Sequence, residues 1–172
     1  MSARTIIGFD PGSLNTGFGI IHRDHEGTVS HISHGAMVLD AKKAVTERLQ
    51  DLSRDVHELV SLHRPHMVVI EEAFVFKNPR SALILGQARG VIIAILGLNH
   101  IPCVGISPTE AKLIVCGHGR AQKFQMSHFV ALRLGIEPPK GKDAGDALGL
   151  ALALALKMNG ALPLSRPQAV VA

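Results

Sequence analysis

Five carboxylates stand where the surrounding apolar residues would not place them. Asp10 closes the run RTIIGFD, Glu71 and Glu72 follow MVVI at 67–70, and Asp143 and Asp146 open KDAGDALGLALALAL. Residues three apart on a helix share a face, so Asp143 and Asp146 can point at one spot. Acidic groups at the rim of an apolar core are costly unless something positive sits between them. Singly, each has a structural explanation, because Asp before Pro-Gly is a common turn residue and Asp in a first helical turn caps it or complements its dipole. Jointly they form a set of hard oxygen donors without an accompanying cysteine, which suits magnesium or manganese rather than zinc. Two such ions would support in-line attack of water on a phosphodiester.

A basic segment encloses these acids. From Glu71 to Lys142 there are nine basic residues, Lys112 and Lys123 among them, against four acidic ones, within a chain of net charge +4. Phosphate binding by such a surface is salt-sensitive and largely indifferent to sequence. Any one of these lysines, taken alone, reads as a solvated surface charge. The histidines suggest less. His22 and His25, and His31 and His34, each have two residues between them, and on a strand that spacing sends the rings to opposite faces, so surface histidines are expected rather than a metal site.

The elements that must position the acids follow from the pattern. RTIIGF and FGIIH read as strands joined by the turn residues PGSLNTG, and a third run from Thr28 to Leu39 completes an antiparallel meander. Apolar residues at helical spacing predict an amphipathic helix over about 44–63, ended by Pro65. MVVI is a strand buried on both faces. Asn78 and Pro79 open a helix to about Leu98, whose Ala82, Gly86, Gly90 and Ala94 fall four apart and would let another backbone approach closely. IPCVGI is a further strand, and Ser107, Pro108 and Glu110 supply the cap, first-turn proline and capping-box acid of the next helix. Residues 122–134 and about 143–158 are helical. The sum is an α/β chain, a mixed sheet with helices on its faces.

At 172 residues the chain has the length of one domain, expected over 1–158 with a flexible tail at 159–172. Six Phe with no Trp or Tyr argue against a nucleic-acid binder built on stacking platforms. Two isolated cysteines, no signal-peptide pattern and a longest apolar stretch, Ala147 to Leu156, too short to span a bilayer point to a cytoplasmic location without a membrane partner.

Four segments in order, GFDPGSLNTGFGII, VVIEEAFVFKNPRSALILGQARG, SPTEAKLIVCGHGRAQK and KGKDAGDALGLALA, resemble the RuvC family of Holliday-junction resolvases over residues 4–158. The resemblance implies an RNase H-like fold with a five-stranded mixed sheet, a homodimer, magnesium dependence with two ions per site and manganese as a substitute, and paired nicks at a four-way DNA junction. It places the catalytic carboxylates at Asp10, Glu71, Asp143 and Asp146, and favours Glu71 over Glu72, between which periodicity does not choose. It assigns Lys112 and Lys123 to the scissile phosphate and Phe74 to stacking on a base at the opened junction centre, and it implies a RuvAB-type branch-migration partner. The dimer interface is expected on the helix face bearing Gly86 and Gly90. Two other readings are a non-catalytic junction-binding module of the same fold and an actin-like or sugar-kinase ATPase using DPGSLNTG as a phosphate loop. The ATPase would need a second domain, and a pure binder gains only repulsion from acids beside phosphates.

Overall fold

The computed structural model describes residues 2–72 and 79–161. Strands β1 (Arg4–Asp10), β2 (Asn15–Arg23) and β3 (Val29–Val38) form the expected meander. Its second turn is held by the Asp24 carboxylate, which accepts from the backbone N–H groups of Glu26 and Thr28 at 2.9 and 2.8 Å, beside Gly27 at φ +94°. Helix α1 (Val45–His63) follows, then β4 (Met67–Glu71), α2 (Pro79–Leu98), β5 (Cys103–Ile106), α3 (Pro108–Cys116), α4 (Lys123–Leu134) and α5 (Lys142–Leu156). The sheet order is β3-β2-β1-β4-β5, with β4 parallel to β1 and β5 parallel to β4. This is the five-stranded mixed sheet of an RNase H-like α/β fold.

The two faces of the sheet are packed differently. On one, Ile7, Phe9 and Ile20 meet Leu52 and Val56 of α1 and Ile92 and Leu96 of α2. On the other lies α5, itself covered by α3 and α4, so residues 147–155 are buried on every side. That explains a helix apolar all round, which only a fully enclosed position tolerates. Gly8 and Gly19 pair directly across β1 and β2, and the backbone of α5 rests on them. A Cβ at Gly8 would overlap the Ala147 carbonyl and lie 2.9 Å from Ala151 N, and one at Gly19 would lie 2.6 Å from Leu148 N.

Four expectations change. The pairing of β2 with β3 slips between Ile20 and Ile21, so that Ile20 faces Ser33 while Ile21 faces His31. The bulged residue Ile32 restores His31 and His34 to one face, where their rings meet at 2.8 Å between Nε2 and Nδ1. Burial, and then the neighbouring ring, lowers the His31 pKa. Glu110 closes no capping box: Ser107 Oγ accepts from the Glu110 N–H at 3.2 Å, but the Glu110 carboxylate takes the buried Lys157 ammonium at 2.6 Å. The chain stays ordered past 158, since a π-turn covers Lys157–Ala161 and Asn159 accepts from Arg23 Nε at 2.7 Å and donates to the Gly27 carbonyl at 2.9 Å. Finally, α2 has the length and apolar composition to cross a membrane, although Ala88, Ile92, Ile95 and Leu96 bury one side of it on the core.

Candidate active site

Strand parity separates the two neighbouring glutamates. Side chains alternate along a strand, so Asp10 faces the same way as Gly8, toward α5, and Glu71 the same way as Val69, which belongs to the α5-side core. Gly8 pairs with Val69 and Phe9 with Ile70 in the parallel β1–β4 ladder, which sets Asp10 and Glu71 side by side at the carboxyl ends of adjacent strands. Glu72 lies past the strand, its carboxylate over Gly105 and its N–H bonded to the Ile106 carbonyl at 3.0 Å. Asp143 and Asp146 approach from the first turns of α5, the former with its backbone against Gly17 of β2.

A cleft of about 350 Å³ is lined by Asp10, Glu71 and Asp146 together with Lys112, Lys123 and Leu85. Lys123 Nζ donates to Asp146 Oδ2 at 2.6 Å. Burial, then the charges of Glu71, Asp146 and Asp143, push the Asp10 carboxyl up to about 8, and Lys123 only partly offsets them. Burial and Asp146 raise Glu71 as well, against a hydrogen bond with Asp10 and the charges of Lys123 and Lys112. The hydrogen bond to Asp146, with Asp10 and Glu71 nearby, raises the Lys123 pKa. Four acids and one close ammonium thus hold more negative charge than the protein itself neutralises. Among the described residues, no three His, Cys, Asp or Glu side chains stand close enough as they are to encircle one ion, and the Lys123 ammonium occupies the Asp146 carboxylate.

The remaining expected site residues scatter around this centre. Gly86 lines a second cleft of about 320 Å³ that shares Asp10 and Glu71 and includes Arg89. A Cβ at Gly86 or Gly90 would meet nothing within 4 Å among the described residues. Phe74 and the Asn78 cap lie outside the described residues. Sequence reasoning passed over Phe124 and Lys142, which line a third cleft of about 250 Å³ together with Lys123 and Asp146. The overlooked signal was an aromatic directly after Lys123, at a first-turn position that does not feed the core.

The family model described as crossover junction endodeoxyribonuclease RuvC matches residues 6–154. A relative of that description from Oleidesulfovibrio alaskensis is 40% identical over 148 residues, which are 86% of this chain and 88% of the relative. Another, from Carboxydothermus hydrogenoformans, is 36% identical over 165 residues, 91% of this chain and 99% of that one. The solved structure of T. thermophilus RuvC in complex with Holliday junction substrate is similar with a TM-score of 0.86 and 25% identity, over 91% of this chain and 96% of the other. The chain belongs to the RuvC family of crossover junction endodeoxyribonucleases.

Proposed function

We propose that this protein resolves four-way DNA junctions by hydrolysing one phosphodiester in each of two symmetry-related strands, with Asp10, Glu71, Asp143 and Asp146 as the catalytic carboxylates. The observation that carries this reading is the single cleft in which Asp10, Glu71 and Asp146 face Lys112 and Lys123. The donor set is all hard oxygen and under-neutralised, which fits magnesium, with manganese as a substitute. The four carboxylates would hold two such ions, which supply positive charge against the phosphate and lower the pKa of water at the site. The protein's own part is positional. Asp10 and Glu71 are fixed by the strand ladder, Asp143 and Asp146 by a helix seated on glycine backbone, and Lys123 and Lys112 offset charge that builds on the phosphate oxygens.

A junction presents two equivalent strands, so a two-fold homodimer would set two such sites at matching phosphates. The exposed surface of α2 around Leu83, Gly86 and Gly90 is the proposed interface. Phe74 is the proposed stacking residue, and a RuvAB-type branch-migration complex the proposed partner in recombination and repair, in the cytoplasm. The non-catalytic and ATPase readings find no support in the family to which the chain belongs.

The test is a labelled synthetic four-way junction incubated with the protein and magnesium, beside linear duplex of the same sequence. Symmetric nicks in the junction alone are expected. Asp10→Asn should abolish nicking and leave junction binding in a gel-shift assay largely intact; metal-dependent nicking by that variant would overturn the site assignment. Sedimentation at micromolar concentration should find a dimer.

A further inference from the structure

Among the described phenylalanines, Phe9 is fully buried, Phe18 and Phe129 pack partly into the core, and Phe124 is 73% exposed. A lone exposed apolar side chain is ordinary. The position of this one is not. It follows Lys123, whose ammonium touches Asp146, and it sits in the first turn of α4, where Gln125 Oε1 accepts the Gln122 N–H at 2.7 Å and fixes the turn. It lines the third cleft together with Pro139 and Lys142. That cleft shares Lys123, Met126 and Asp146 with the carboxylate cleft, so the two adjoin across the Lys123–Asp146 ion pair. Lys142 lines it, exposed Lys140 and Arg120 lie close by in sequence, and Asp146, already paired with Lys123, is its one acidic residue. An aromatic wall, a proline wall and a cationic rim next to a phosphate-cleaving centre match one nucleotide: a flat base to stack and a phosphate to neutralise.

We propose that Phe124 is a DNA-positioning residue that stacks on a base adjoining the scissile phosphate, with Lys142 holding the next phosphate along that strand. The proposal rests on the junction-nuclease reading above and adds a subsite to it. Stacking on a π-face is sequence-tolerant, so the subsite sets the strand's path rather than its sequence.

The test combines Phe124→Ala and Phe124→Tyr with junctions carrying a single abasic site, placed in turn at each nucleotide flanking the scissile phosphate. On the intact junction Phe124→Ala should lower single-turnover nicking at least about fivefold, the lower end of what one base–aromatic stack contributes, and Phe124→Tyr should restore it. At one abasic position the wild type should fall to the level of Phe124→Ala, and Phe124→Ala should lose nothing more. Equal losses at every abasic position, or wild-type nicking by Phe124→Ala, would overturn the subsite while leaving the nuclease reading standing. A wild-type protein that nicks no junction would remove the nuclease reading, and this one with it.

Discussion

On one face of the sheet, Gly8, Gly17 and Gly19 let the α5 backbone lie directly on the strands, whereas on the other, Ile7, Phe9 and Ile20 hold α1 and α2 at side-chain distance. The first face carries Asp10, Glu71, Asp143 and Asp146. Side chains can shift rotamer to absorb a change, but two backbones in contact cannot, so the acidic face trades tolerance for fixed geometry. Asp10 and Asp146 come from different elements, and the seat of α5 on the strand glycines helps to set their separation. Both faces bury a core, the larger one on the α5 face, and it is there that backbone contact fixes positions.

The contrast can be broken in four ways. The largest effect is expected from Gly8→Ala, whose Cβ overlaps the Ala147 carbonyl and must displace α5. A shift of about 1 Å at the acids should cost about 10²-fold in nicking, measured on the fraction that stays folded by circular dichroism. Leu52→Ala, fully buried on the opposite face, should lower stability by about 2–5 kcal/mol in urea melts yet leave nicking by the folded protein near wild type. A large loss of activity there would erase the distinction.

The third way uses pH. Asp10 holds its proton up to about 8 in the fold, against 3.8 in its ordinary state, so the folded protein binds more protons than the unfolded chain between those values. Its stabilising share is complete below about 4 and is lost as pH rises through about 8. Without divalent cation, thermal stability should therefore decline over that window. Asp10→Asn should flatten the decline, raising Tm at pH 8 by roughly 2–4 °C for each kcal/mol of relieved repulsion. Magnesium should stabilise the wild type at pH 8 more than the variant. The smallest effect is expected from Ile92→Val on the α1–α2 face, about 0.5–1.5 kcal/mol with unchanged nicking.

Much of this was legible in the chain. The elements follow from apolar spacing, capping residues and prolines, and of the four motifs that carried the family resemblance three contain the acids and one the two lysines. What escaped depended on contacts between elements. His31 and His34 looked opposed because period-2 counting fails across a bulge, and nothing local to HISH marks Ile32 as the extra residue. Glu110 has the right spacing for a capping box, but Lys157, 47 residues later, offers its carboxylate a full charge in a buried setting. Glu71 and Glu72 could not be ranked by apolar periodicity, because MVVI is apolar on both faces and so conceals which parity looks toward α5. Nothing local to Gly8, Gly17 and Gly19 shows that α5 lies on them.

The place of α5 in the chain has a consequence for biosynthesis. Asp10 and Glu71 meet only after the α1 crossover has closed the parallel ladder, and Asp143 and Asp146 arrive with the last long helix, which is also the centre of the larger core. Non-local pairings of this kind form late in folding. A nascent chain still short of residue 142 has neither a closed core nor a complete set of acids. On the proposed assignment of the four acids, one helix completes both the larger core and the site, so a chain that stops before residue 142 should nick no junction.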